Sequence, residues 1–219
     1  TERFIGKTCI LGLGYGTGWK KLQDTLKTQP PYADVSDQEA QRYVKVYRDT
    51  NHTVTKLWKE CDKALEYLDT WEMRQANGYG QPYYLDKHKT IKVTPKGLEL
   101  PNGLLLQYPE LRYDTTSSVN GGYVYKKRFG GEVSIWGGSI VENVVQALAR
   151  IIIGEQMIRI NERYKPVLTV HDAVVCVAAE EEKEEALKFI MDEMSKAPNW
   201  GPDLPITCEG DFASNYGDC

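Results

Sequence analysis

The chain has 219 residues, 41% of them hydrophobic, and a formal net charge of −4. Such a length supports a sizeable buried core in one or two domains; the spacing of polar residues excludes a membrane span, and no opening signal peptide is expected. The five cysteines, at 9, 61, 176, 208 and 219, form no CxxC pair, so neither a zinc site nor a disulfide framework is indicated and a reducing cytosol is expected.

A net negative chain does not suggest a nucleic-acid binder, yet the charge is uneven. Residues 1–30 carry five basic and two acidic groups, Lys126-Lys127-Arg128 form a second basic cluster, and 180–185 is nearly all acid. Basic patches, not the total, set phosphate binding.

The first predicted element is a helix on which Arg3, Lys7, Leu11 and Tyr15 recur at every fourth position, with Gly16 closing the run. At about 1.5 Å per residue the row spans roughly 18 Å of one helix side. Two cations, an apolar residue and an aromatic ring beside a glycine match the layout of a nucleoside triphosphate, although Arg and Lys at this spacing are also common on a solvated face. The glycines at 12, 14, 16 and 18 end the helix and leave room for close approach. They fit no dinucleotide loop, because Thr17 and Trp19 stand where GxGxxG needs its last glycine, and GxxxxGK[ST] is absent.

After a break at Pro30-Pro31, Ser36-x-x-Glu39 reads as a capping box that starts a long helix, with Val54, Leu57, Trp58, Cys61, Leu65 and Leu68 on one face. Residues 77–130, rich in Gly, Pro and Tyr, read as hairpins and loops with β-prone runs such as 90–93. Within them Lys126 to Arg128 fits a solvated hairpin and a DNA-backbone contact equally well. Ser139-x-x-Glu142 reads as a second capping box, opening a helix that buries Ile140, Val141, Val144, Val145, Leu148, Ile151 and Ile152. On it Glu142 serves as a cap or a contact, and Asn143 and Gln146 as a polar face or a contact.

Residues 166–177 place two β-branched runs on either side of His171-Asp172, which predicts a hairpin with an aspartate at its tip, where a hard metal ion can be bound. An amphipathic helix through Leu187, Ile190, Met191 and Met194 covers this sheet, and 204–208 reads as a final strand. The predicted class is α+β: a helical part, then antiparallel strands with covering helices.

Three ordered segments carry a resemblance. Arg-x3-Lys-x3-Leu-x3-Tyr-Gly resembles the fingers motif of family A DNA polymerases, and Val170-His171-Asp172 resembles their third palm motif. Between them Glu142-Asn143-x2-Gln146-Ala147-x-Ala149-Arg150 is similar to a stretch on the long helix of phage members. The resemblance implies a fingers part at 1–130 and the C-terminal part of a palm at 131–219. It also implies deoxynucleoside triphosphates and primer–template DNA as partners, and, for a viral protein, the host cytoplasm.

Residue by residue, it implies that Arg3 and Lys7 grip the triphosphate and that Leu11 lies near sugar and base. Tyr15 and Gly16 would sit where the templating base enters. Gln146, with Glu142, Asn143 and Arg150, would lie along the DNA. His171 would lie near the primer terminus, and Asp172 would be one of two metal-binding aspartates in a two-Mg²⁺ site. Lys7 would also protonate the leaving pyrophosphate, and Asp172, Lys7 and His171 would be the catalytic group. Two positions depart from the family: Ala173 stands where Glu is usual, and Leu11 where Phe or Tyr is usual.

The family's first palm motif, Asp followed by aromatic-Ser-x-x-Glu, occurs nowhere in the chain, and two-metal phosphoryl transfer needs carboxylates on both sides of the metal pair. The expectation is therefore a fragment or split half that takes one metal ligand from an N-terminal part. The rival is a primer–template binding module without activity of its own, and a third reading is a template-independent nucleotidyltransferase.

Overall fold

The computed structural model describes residues 2–116 and 121–218, and the chain divides into two compact units, Thr1–Val144 and Val145–Cys219. The class is α+β, as the residue pattern implied.

The first unit opens with α1 (Glu2–Gly14), α2 (Trp19–Thr28) and α3 (Asp37–Thr50). Leu13 of α1, Leu22 and Leu26 of α2, and Ala40 and Val44 of α3 close a core with Ala33 and Val35, against which Phe4, Ile5 and Cys9 pack. Helix α2 was not anticipated; it ends one residue before Gln29, ahead of a cis Pro30–Pro31 bond. The capping box of α3 is present: Glu39 N–H donates to Ser36 Oγ (3.3 Å) and Ser36 N–H donates to the Glu39 carboxylate (2.8 Å). The Ser36 N–H and the Ser36 hydroxyl, both donating to the Glu39 carboxylate, hold it below its usual pKa.

The expected long helix is two. It breaks at Asn51 (φ −100, ψ 42), and α4 (His52–Asp69) follows at once. Trp58, Cys61 and Leu65 of α4 are buried, whereas Leu57 is exposed. Burial pushes the Cys61 thiol up to about 12, so it is an inert core residue. Helix α5 (Trp71–Ala76) leads to strands β1 (Tyr83–Tyr84), β2 (Lys92–Thr94), β3 (Gly97–Glu99) and β4 (Leu105–Leu106), paired antiparallel in that order. Val93 and Leu98, opposite one another, are fully buried. A second antiparallel sheet follows, β5 (Arg112–Asp114), β6 (Gly122–Lys126) and β7 (Glu132–Ile135).

Helix α6 (Gly137–Ile160) begins two residues before the expected capping box. Its first turn is capped from far away in sequence, by Asp62 of α4, whose carboxylate accepts the Gly137 N–H at 2.6 Å. Ser139 is thus an interior helical residue, and of the expected apolar face Val145 is 59% exposed.

In the second unit β8 (Pro166–Val170) and β9 (Ala173–Cys176) form the expected hairpin, and α7 (Lys183–Met194) covers it. Ile160, Tyr164 and Ala186 make the core, against which Val174 and Cys176 of β9 and Ile190 and Met194 of α7 pack. No strand forms over 204–208 among the described residues. Pro205 brings no N–H to a ladder, and the segment lies on α7 instead, Cys208 Sγ donating to Met191 O at 3.3 Å.

Glu193 of α7 is 7% exposed and accepts from Arg159 Nε at 2.9 Å and from Lys196. The Lys196 and Arg159 hydrogen bonds hold its carboxyl below the ordinary glutamate value. A depressed carboxyl contributes stability above its unfolded pKa and loses it as pH falls through the folded one. Glu193→Gln is expected to lower stability by about 2 kcal/mol at pH 7, with the difference from wild type shrinking below about pH 4.5, read from urea melts at both pH values.

Candidate functional site

Helix α1 exposes the row that the spacing singles out. Arg3 and Lys7 are exposed, Leu11 is 54% exposed and Tyr15 56%. Neither cation has a carboxylate partner among the described residues, so both charges face solvent along one side of the helix. Tyr15 is not itself helical. It sits in the turn after α1, where Gly16 N–H donates to Leu13 O (3.0 Å) and Thr17 N–H donates to Gly12 O (3.2 Å).

That turn rests on a support which sequence reasoning missed. Gly16 has φ +72, and a Cβ there would lie 2.2 Å from the Trp136 ring. Trp136 packs edge-on to Trp58 with ring centroids 5.3 Å apart. The next residue, Gly137, would place a Cβ 1.8 Å from Trp58 O, and its N–H is the one held by Asp62. Burial raises the Asp62 carboxyl, and the Gly137 bond opposes that rise. The signal was the tripeptide Trp136-Gly137-Gly138, an aromatic beside two residues without side chains.

Gly16→Ala is expected to destabilise the first unit by about 3 kcal/mol, from positive φ and overpacking together. The melting temperature should fall by roughly 6–12 °C. Gly6→Ala, inside α1 with nothing within 4 Å of the added methyl, should instead stabilise by roughly 0.5–1 kcal/mol. Equal effects at both positions would contradict the Trp136 contact.

On α6, Asn143 is half-buried and donates through Nδ2 to Tyr108 Oη (3.2 Å). Burial pushes the Tyr108 phenol up to about 12, so it stays a neutral acceptor. The Asn143 amide is therefore engaged inside the protein. Glu142 is half-buried beside it; Gln146 and Arg150, one helical turn apart, are exposed on the second unit's part of the helix.

His171 and Asp172 form the two-residue tip between β8 and β9, closed by the pair Val170 and Ala173. Both are exposed. His171 has φ +54, a conformation that strains a residue with a Cβ by roughly 1–2 kcal/mol and is kept where a tight tip matters more than relaxation. Arg3, Lys7, Leu11, Tyr15, Gly16, Glu142 and Asn143 thus belong to the first unit, and Gln146, Arg150, His171 and Asp172 to the second.

Among the described residues no three His, Cys, Asp or Glu side chains gather as a metal site. Mg²⁺ takes about six oxygen ligands, and Asp172 supplies one carboxylate, so these residues by themselves do not make a Mg²⁺ site. No helix among the described residues is long and apolar enough to cross a membrane.

A DNA polymerase of Bacillus phage SP02 is 29% identical over 221 residues, an alignment that covers 96% of this chain and 32% of that protein. The chain therefore spans about a third of the length of the curated relative it matches. No family model matches the chain, and no solved structure does.

Proposed function

We propose that the chain is the C-terminal portion of a template-directed DNA polymerase of family A, acting in phage DNA replication in the host cytoplasm. It would extend a primer 3′ end with deoxynucleotides once joined by an N-terminal part. The observation that carries this reading is the exposed row Arg3, Lys7 and Leu11 on α1, continued by Tyr15 on a turn fixed against Trp136. The likeness to a phage DNA polymerase supports it.

In this reading Arg3 and Lys7 bind the triphosphate, where two exposed cations on one helix side suit its oxygens. Lys7 holds a proton that it can pass to the leaving pyrophosphate. Leu11 packs near the sugar, and Tyr15 offers a ring to the templating base, with Gly16 keeping the backbone close. Gln146 and Arg150 meet the duplex near its growing end. Tyr108 takes up Asn143, so Asn143 orients α6 more than it reads DNA. Asp172 contributes one ligand to a Mg²⁺ site whose other ligands lie outside this chain, and His171 stands beside the primer terminus.

Two observations favour a second reading, a primer–template binding module without activity of its own. Ala173 follows His171-Asp172, and Asp172 has no grouped metal donors among the described residues.

Equilibrium binding to the isolated chain tests the α1 row directly. A deoxynucleoside triphosphate should bind more tightly than its mono- and non-phosphorylated forms, and Arg3→Ala with Lys7→Ala should erase the preference. Equal affinity for nucleoside and triphosphate would contradict the proposal.

A further inference from the structure

The ribbon formed by β6 and β7 ends in a tip that none of these roles uses. Beyond the last pair, Lys126 and Glu132, the residues are Lys127, Arg128, Phe129, Gly130 and Gly131. The tip is ordered by its own backbone: Lys127 N–H donates to Gly131 O (2.9 Å), and Gly130 N–H donates to Lys127 O (3.0 Å). Gly130 and Gly131 have φ +89 and +77 and open space around each Cα, so the turn is built from residues that adopt it without strain.

Phe129 is 95% exposed, the highest value among the large apolar side chains of the described residues. The neighbouring carboxylates are taken up at the base of the ribbon. Glu132 accepts both arms of Arg112 (2.7 and 2.9 Å), and Glu110 accepts Lys126 (2.9 Å). Lys127 and Arg128 are left exposed with no carboxylate partner among the described residues, and the Arg128 guanidinium lies 5.7 Å from the Phe129 ring centroid. In a chain of net charge −4 this is a local excess of positive charge around an exposed aromatic ring.

We propose that this tip is a contact for single-stranded nucleic acid, with Phe129 stacking on an unpaired base and Lys127 and Arg128 neutralising adjacent phosphates. An exposed ring gains nothing from water, whereas base stacking gains about 1–3 kcal/mol per base, about 5- to 150-fold in affinity, without sequence preference. Only an unpaired base presents its face freely, which selects a single strand over a duplex. The choice of a template strand as natural ligand rests on the polymerase reading; the binding chemistry does not.

The test is fluorescence anisotropy of a labelled oligo-dT with the chain, without nucleotide or metal, across a salt series. Phe129→Ala should weaken binding about tenfold and Phe129→Tyr by less than about twofold, with unchanged melting temperatures, since the side chain is exposed. Lys127→Ala with Arg128→Ala should flatten the slope of log K against log salt by about 1.4, at roughly 0.7 per phosphate contact on a single strand. Variants that bind oligo-dT like wild type, a wild type that binds none, or a preference for an acidic peptide over oligo-dT would each overturn the proposal. Triphosphate binding measured on the same variants should be unchanged, so that failure of the α1 row is seen separately from failure of the hairpin.

Discussion

Asp172→Ala is expected to abolish metal-dependent primer extension when this chain is combined with a polypeptide carrying the Asp-aromatic-Ser-x-x-Glu segment. The loss should exceed the roughly 10–100-fold that outer-shell changes produce at metal sites. Asp172 stands exposed at a two-residue hairpin tip, and the fold asks little of it. A carboxylate at a strand end, with no hydrogen-bond partner among the described residues, is free to take a metal ion. The melting temperature of the variant should therefore match wild type, which separates a lost ligand from a damaged hairpin. Asp172→Asn, isosteric but neutral, should fail as Ala does. Activity within about twofold of wild type in either variant would remove Asp172 from the metal assignment.

Lys7→Ala is expected to lower turnover of the same combined enzyme by about 10²–10³-fold, the usual effect of removing one donor aimed at developing charge. Arg3 should act mainly on affinity, because it stands one helical turn away at the outer end of the row. The informative companion is Lys7→Arg. An arginine keeps the positive charge but does not release its proton, so it should restore KM while leaving kcat depressed if Lys7 donates a proton. Full recovery of kcat by Lys7→Arg would reduce Lys7 to a binding residue. Both variants should fold as wild type does, since the side chain is solvent-facing.

Some of this architecture can be read locally. Helix α1 follows from its four-residue period, its end from Gly14 and Gly16, and the start of α3 from the reciprocal bonds of Ser36 and Glu39. The β8–β9 hairpin follows from β-branched runs flanking two residues. What escaped the sequence is mostly non-local. Asp62 caps Gly137 across 75 positions, and no local pattern announces it, so the nearer Ser139 box looked sufficient. The break at Asn51 has no Gly or Pro to mark it. The 204–208 run has strand composition but lies against α7 instead of pairing. The candidate row on α1 stood out as residue types at a spacing; that Tyr15 leaves the helix and sits in a turn backed by Trp136 needed the fold.

Extension of a labelled primer on a template with Mg²⁺ and all four deoxynucleotides is the most direct test, first with this chain alone and then with the polypeptide carrying the missing palm motif added. Extension in the mixture and none by either part alone is the result predicted for an incomplete polymerase. Extension by this chain alone would contradict a metal site that takes ligands from outside it, and no extension in the mixture would contradict the polymerase reading in favour of a binding module.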